Sequence, residues 1–182
     1  MGIDNIKKII FDLFKKNDPF WKVHILAVVD NSIKLAKRFD ADKDVCEVSA
    51  WLHDIAKLEG TREDHHVIGS KRAEEILTSE GYDTYFIENV KNCILYHSSD
   101  KKYIPRTLEE KIVACADATC HFDVFLEFAM LQMDKCDNDS KLAASKIIKK
   151  FEKSLDKIMP EIRDLYEKKL DAIRLVLSKN EF

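Results

Sequence analysis

The sequence is poor in the residues that build turns and sheets. Its 182 residues include only four glycines and three prolines, and no segment alternates apolar and polar residues over the length of a strand. Each hairpin or crossover of a sheet needs turn residues that this chain largely lacks. We therefore predict that helices form nearly all of the secondary structure and that the fold is all-α.

Long apolar runs, a strong net charge and paired cysteines are also absent from the sequence. No apolar stretch approaches the roughly 18 residues of a membrane span, and the N-terminus has no basic stretch before an apolar core, so we expect neither a membrane nor a secreted protein. The net charge of −3 disfavours a nucleic-acid polymer as partner. The five cysteines form no C-x-x-C pair, which favours a reduced, cytoplasmic protein.

What the sequence does contain is helical periodicity. Apolar residues recur every three or four positions along most of the chain, and one such stripe runs through residues 113–131. Asp18-Pro19 and Thr107-x-x-Glu110 are typical helix starts, whereas Gly60 and Gly81 are typical helix stops. We predict seven or eight helices with short connections in a single domain, the longest irregular loop covering residues 98–106.

Four residues of metal-binding type stand out on these helices. The pair His53-Asp54 lies between His24 and Asp117, and these side chains are ligands for hard or borderline divalent cations. Asp117 continues an apolar stripe, where a carboxylate must be neutralised, paired or bound to metal. Two simpler interpretations remain open from the residues alone: Asp117 as a buried salt bridge or helix cap, and His24 as a partly buried structural histidine.

The order of these residues, with further histidines between the pair and the distal aspartate, resembles the HD-domain superfamily of metal-dependent phosphohydrolases. Residues 51–57 (WLHDIAK) are similar to the helix end that carries the His-Asp pair in that family. Residues 65–69 (HHVIG) are similar to its second-histidine helix, and residues 111–117 (KIVACAD) to the helix with the last ligand. The resemblance covers about half of the chain.

The resemblance implies a compact HD-type helical bundle over residues 1–182. Its metal-binding core would be residues 20–130, and helices in residues 138–180 would pack on that core. One divalent ion would be held by His24, His53, Asp54 and Asp117. A second ion would be bound by His65 and His97, with Asp54 bridging the two. Imidazole and carboxylate ligands suit Fe, Mn, Co, Ni or Zn, as one ion or two.

Other polar residues near these positions receive supporting roles. In the family that the sequence resembles, a ligand histidine lies four residues before a glycine, and this spacing relative to Gly69 favours His65 over His66. His66, Arg62 and His121 would then contact the substrate or support the ligands. Lys57 is expected to meet phosphate oxygens, although a lysine at a helix end often only complements the helix dipole. The lysines within residues 146–153 are predicted to be solvated surface.

The function implied by the resemblance is hydrolysis of a phosphate ester or phosphoanhydride of a small molecule, a nucleotide in our interpretation. Asp54 and Lys57 are the predicted catalytic residues. One alternative is a non-catalytic HD domain that senses a ligand or acts as a scaffold, but such a domain usually lacks a ligand and none is missing here. Another is a di-iron oxygenase, which iron content and oxygen consumption would reveal. The sequence leaves the oligomeric state open.

Overall fold

Ten helices and no strand form the part of the chain that the computed structural model describes, residues 2–100 and 102–178. The predicted all-α class is confirmed. In chain order the helices are α1 (Ile3–Phe14), α2 (Pro19–Phe39), α3 (Lys43–Leu52), α4 (Ile55–Leu58), α5 (His65–Ser79), α6 (Thr84–Tyr96), α7 (Leu108–Asp123), α8 (Phe125–Asp134), α9 (Ser140–Leu155) and α10 (Pro160–Leu177).

The predicted helix boundaries agree with the structure at several positions. The Asp18 side chain accepts a hydrogen bond from the Phe20 backbone N–H at the start of α2, and Thr107 and Glu110 form a capping box at the start of α7. Gly60 and Gly81 follow helix ends with φ of +99° and +77°, a backbone conformation that favours glycine.

The prediction of seven or eight helices was too low for two local reasons. First, α4 has only four residues, which is too short to give a periodic apolar pattern. Second, the stripe through residues 113–131 is divided at Val124, whose φ of −106° and ψ of 38° are not helical. No glycine or proline marks this break, so the sequence predicted one helix where the structure has α7 and α8.

Helix α7 lies at the centre of the molecule. It packs against α2, α3 and α6 on one side and against α9 on another, and every residue from Ile112 to Phe122 is buried. The C-terminal helices α9 and α10 pack on each other, and both contact α7. The last two residues of the predicted range 138–180 lie outside the described residues. A side chain in the middle of α7 is thus surrounded by helices from both halves of the chain.

Within the described part of the chain, no helix is both long enough and apolar enough to cross a membrane.

Candidate metal centre

The structure brings the six predicted ligands together around the carboxylate of Asp54. Most of these residues lie at helix ends, where a side chain can turn into the space between helices. They are His24 within α2, His53 and Asp54 between α3 and α4, His65 at the start of α5, His97 directly after α6, and Asp117 within α7. Their roles as ligands stay predictions; their proximity is a fact of the fold.

The His-Asp pair lies at a break between two helices. His53 ends α3 with helical φ and ψ of −56° and −34°, whereas Asp54 has φ of −113° and ψ of 21°. The two residues therefore do not share one continuous helix, on which consecutive side chains would point about 100° apart. The Asp54 side chain makes no capping hydrogen bond to α4, so both of its oxygens remain available to the cluster.

One oxygen of Asp54 faces the first group of predicted ligands. Oδ2 lies 3.5 Å from Nε2 of His24 and 3.5 Å from Nε2 of His53. The two imidazole Nε2 atoms are 3.2 Å apart, and Oδ1 of Asp117 lies 3.6 Å from Nε2 of His24. His24, His53 and Asp54 thus direct N and O atoms at one small volume, and Asp117 adjoins this group through the two imidazoles.

The other oxygen of Asp54 faces the second group. Oδ1 lies 3.7 Å from Nε2 of His65 and 3.6 Å from Nε2 of His97. Lys57 Nζ is 2.8 Å from this oxygen, but its hydrogen bond goes to Oδ2 at 3.0 Å. Judged by hydrogen-bond angles as well as distance, no described residue donates a hydrogen bond to the buried Oδ1, so its one close contact with a cation is the ion pair with Lys57. A buried carboxylate oxygen that lacks a hydrogen bond is stabilised further by a second cation close to it.

Three of the histidines are oriented by the same contact. Nδ1 lies near the backbone carbonyl oxygen three residues earlier, at 2.8 Å in His53, 3.2 Å in His65 and 2.6 Å in His97. Because a carbonyl can only accept, each Nδ1 carries the proton and donates it. Each Nε2 therefore presents a lone pair to Asp54, the arrangement that orients histidines bound to metals.

The ionisation states agree with this orientation. Burial lowers the pKa of His53 to about 3 and that of His65 to about 4, so both rings are neutral near pH 7. Burial opposes ionisation of Asp54, but His53 and Lys57 outweigh it and hold the pKa of Asp54 well below its ordinary value. Neutral imidazoles and an anionic carboxylate are the states in which these groups bind a divalent cation.

The residues present therefore fit a divalent metal ion. Two sets of ligand-type side chains share Asp54, one with His24 and His53 and the other with His65 and His97. Lone pairs that face a carboxylate repel it unless a cation lies between them. A third group joins Cys120 and His121 to His24 and Asp117, but burial raises the pKa of the Cys120 thiol well above its ordinary value, which keeps it protonated.

The sequence analysis missed the lysines of the C-terminal half. Lys157, in the turn between α9 and α10, lies 2.5 Å from Asp117 Oδ2 and donates to the His97 carbonyl oxygen at 2.9 Å. Against the effect of burial, Lys157 and Lys150 hold the pKa of Asp117 well below its ordinary value. Within residues 146–153, Lys150 and Lys153 line the cavity at the site. Lys153 is exposed, as predicted, but Lys150 is partly buried, so the prediction of solvated surface was wrong for Lys150.

Loss of Lys157 is expected to destabilise the metal-free protein. The Lys157→Met substitution keeps the aliphatic stem but leaves Oδ2 of the buried Asp117 without its cation. Removing one partner of a buried ion pair costs about 3 kcal/mol. Thermal unfolding in chelator should therefore give a clearly lower Tm for Lys157→Met.

The matched control is Lys149→Met, which removes an exposed lysine from the neighbouring helix. Its free energy of unfolding should change by no more than about 0.5 kcal/mol. Equal Tm values for the two variants would show that Asp117 does not depend on Lys157.

The supporting residues occupy distinct places. His66 makes no contact within 4.0 Å of the Asp54 carboxylate; it is buried against Tyr103, with 4.7 Å between ring centroids, and neither of its ring nitrogens has a hydrogen-bond partner among the described residues. Arg62 lies at the edge of a neighbouring cavity. His121 Nδ1 contacts the Asp117 backbone carbonyl oxygen at 3.0 Å. The geometry thus favours His65 over His66 as the residue facing Asp54.

A cavity of about 470 Å³ opens beside the cluster. Its walls include Asp54, His65, His97 and Asp117, so the predicted ligands are accessible from it. Lys57, Lys150, Lys153 and Lys157 surround the same space. Four lysines and three carboxylates, those of Asp54, Asp100 and Asp117, line the cavity, and this excess of lysines suits an anionic ligand that reaches the metal position.

Comparisons with known proteins agree with this picture. The sequence model of the HD domain matches residues 22–120. The uncharacterised protein MJ0778 of Methanocaldococcus jannaschii is 30% identical over 155 residues, which cover 77% of this chain and 80% of that protein. The symmetrical bis(5'-nucleosyl)-tetraphosphatase of Bacillus subtilis is 27% identical over 110 residues, covering 52% and 58%.

Another relative is much longer than the matched region. The tRNA (cytidine(56)-2'-O)-methyltransferase of Picrophilus torridus is 29% identical over 145 residues, which cover 74% of this chain but only 41% of the methyltransferase. The chain therefore spans less than half the length of that relative.

Solved structures share the fold. Bacillus subtilis YpgQ has a TM-score of 0.71 at 19% identity, covering 95% of this chain and 92% of YpgQ. A predicted HD superfamily hydrolase from an uncultured Thermotogales bacterium has a TM-score of 0.67 at 21% identity, covering 96% and 88%. The match to the family model and the 30% identity to the archaeal relative together decide the family, and this chain belongs to the HD domain family.

Proposed function

We propose that this protein is a metal-dependent phosphohydrolase that cleaves a phosphate ester or phosphoanhydride of a small molecule, with a nucleotide as substrate. The observation that carries the proposal is the position of Asp54, whose two oxygens face two separate groups of imidazole Nε2 atoms. A carboxylate in this position suits bridging two cations, and the adjoining lysine-lined cavity suits a phosphate.

The metal would be Fe, Mn, Co, Ni or Zn, held by the two groups that share Asp54. Divalent ions held there would stabilise negative charge on a phosphoryl group and lower the pKa of a bound water. In the overall reaction a water oxygen forms a bond to phosphorus, the bond from phosphorus to the leaving oxygen breaks, and that oxygen ends with a proton. Each turnover consumes one water molecule.

The protein's own side chains would bind and orient the phosphate. Lys57 lines the cavity and contacts Asp54, so its ammonium group can meet a phosphate oxygen while it stays beside the carboxylate. Lys150 and Lys153 line the same cavity, and neither forms an ion pair with any described residue. Both are thus free to neutralise the negative charge of the substrate.

The nucleotide assignment is supported by a relative and by the cavity. The Bacillus subtilis relative is named for its action on a bis(5'-nucleosyl) tetraphosphate, which is a phosphoanhydride. A cavity of about 470 Å³ with aromatic residues Phe20 and Trp21 at its edge has room for more than a single phosphate group. The cytoplasm, where such substrates are abundant, is the proposed location.

The protein purified without chelator is expected to carry at least about one transition-metal ion per chain, because several imidazoles and carboxylates of ligand type meet there. Elemental analysis provides the measurement. A metal content below about one ion per chain, even after supplementation, would contradict the proposal.

Activity is tested on phosphomonoesters, phosphodiesters and nucleotides in parallel. Hydrolysis should disappear with chelator and return when the metal found by elemental analysis is added back. Oxygen consumption is measured in the same preparations; consumption of oxygen without phosphate release would favour oxidation over hydrolysis.

A further inference from the structure

Lys157 reaches the metal centre from outside the region that matches the HD domain. That region ends at residue 120, whereas Lys157 lies in the turn between α9 and α10. Its side chain is only 13% exposed, and its Nζ lies 2.5 Å from Asp117 Oδ2 and 2.9 Å from the His97 carbonyl oxygen. One cation from the C-terminal half of the chain thus contacts a residue of each predicted ligand group.

The turn that carries Lys157 is fixed on α7. The next two residues, Ile158 and Met159, are buried in the core. The Met159 backbone N–H donates to the sulphur of Cys115 at 3.5 Å, and Cys115 precedes Asp117 by two residues on α7. Because packing and this backbone contact hold the turn in place, the fold itself sets the ammonium group beside Asp117.

The two oxygens of Asp117 have different partners. Oδ2 accepts a hydrogen bond from Lys157, whereas Oδ1 lies 3.6 Å from Nε2 of His24 and 3.9 Å from Nε2 of His53. An ion bound by Oδ1 would therefore share one carboxylate with the ammonium group on Oδ2. Two cations on one buried carboxylate repel each other, and solvent screens that repulsion little. Each cation then weakens the binding of the other.

Lys157 is the lysine in direct contact with Asp117. Lys150 also helps to hold the pKa of Asp117 low, but it lies beyond ion-pair distance of that carboxylate. The contact with Lys157 offsets the cost of a buried carboxylate when no metal ion is bound. The same contact makes Asp117 a weaker ligand, because the charge that a metal ion would neutralise is already neutralised.

We propose that Lys157 competes with a metal ion for the carboxylate of Asp117. The ion concerned is the first one, which the proposed function assigns to His24, His53, Asp54 and Asp117, so the inference rests on that assignment. Lys157 keeps this ion more weakly bound, and more readily exchanged, than its ligands alone would hold it. The second ion does not use Asp117 and is held independently of Lys157.

Metal binding to the full chain tests the sign of the effect. Protein stripped with chelator is titrated with Mn²⁺ or Co²⁺ alone, and calorimetry gives the affinity of each binding step. In Lys157→Met one step should tighten about tenfold, because the competing charge is gone. The other step should stay within about twofold. A lysine that only supported the fold would give the opposite result, since its loss would weaken metal binding.

Two further variants show whether the charge is the cause. Lys157→Arg keeps a cation beside Asp117, so it should restore the weaker metal binding of the wild type. Lys149→Met is the matched control, since it removes an exposed lysine of α9 and should leave both binding steps unchanged. Circular dichroism checks that each variant is folded.

Stability gives a second readout of the same competition. Saturating metal should raise the Tm of Lys157→Met more than the Tm of the wild type, because tighter binding to the native state stabilises it more. Should Lys157→Met fail to fold in chelator, both proteins are purified with metal bound. Transfer of the ion to a competing chelator is then followed, and Lys157→Met should release its ion more slowly.

Two results would overturn the inference while leaving the proposed function: Lys157→Met that binds both ions no more tightly than the wild type, or Lys157→Arg that gains as much affinity as Lys157→Met. Metal binding by neither the wild type nor Lys157→Met would overturn both. Tighter binding by Lys157→Met, without hydrolysis of any phosphate substrate by the wild type, would support the competition and remove the proposed function.

Discussion

Asp54→Asn is expected to abolish hydrolysis and to deplete the protein of metal. Asp54 is the residue shared by both groups of predicted ligands, with Oδ2 near His24 and His53 and Oδ1 near His65 and His97. Asparagine keeps the shape but loses the charge and one oxygen. Turnover should fall by on the order of 10³-fold or more, comparable with the loss of a preorganised charge-stabilising group. Turnover and elemental analysis of the same preparation are the measurements.

Asp123→Asn is the matched control for that result. Asp123 ends α7 and contacts Asn31 and Lys169 at the surface, away from the cluster, so its replacement should leave turnover and metal content unchanged. Circular dichroism must show that Asp54→Asn keeps its helices. Loss of the helical signal would make Asp54 a structural residue, and unchanged turnover in a folded variant would exclude its catalytic role.

His97→Ala is expected to lower the metal content from about two ions per chain to about one. His97 faces only Oδ1 of Asp54 and its group with His65, so the group that contains His24 and His53 keeps all of its members. Turnover should fall about 10²-fold, because a phosphoryl group held between two ions then contacts one. Elemental analysis and turnover of loaded protein are the measurements.

His121→Ala provides the contrast to His97→Ala. Its ring also lines the metal cavity, but its Nδ1 is engaged with the Asp117 backbone carbonyl oxygen, and neither group around Asp54 includes it. The metal content should stay at about two. If His97→Ala kept the full metal complement, or His121→Ala lost an ion, the assignment of the second ion to His65 and His97 would be wrong.

The all-α class and the buried faces of the long helices were predictable, because the buried face of a helix appears in the sequence as apolar residues at every third or fourth position. His97 and Asp117 continue apolar stripes of their helices, and both are buried at the centre. The division between α7 and α8 does not interrupt this apolar spacing in the sequence. It depends on tertiary packing, since Phe125 and Phe128 on α8 contact Phe151 of α9, and a contact between distant segments has no local signature.

The lysines of the site show the same limit of prediction from local sequence. Lys150 follows Ile147 by three residues and precedes Ser154 by four, and both of these are buried; this spacing was the available signal that Lys150 faces inward. Lys157 has no comparable signal, because it lies in a turn and reaches Asp117 only after α9 has packed on α7. For the same reason, the His-Asp pair alone did not reveal the helix break at Asp54.

The scattered origin of the six predicted ligands also affects the order of events as the chain folds. They come from helices α2 to α7, with His24 and Asp117 near the two ends of the region that matches the HD domain. Contacts between such distant residues form late, because loop closure must precede them. An ion would thus find its ligands assembled only in the nearly native chain. Its binding free energy would slow unfolding more than it speeds folding.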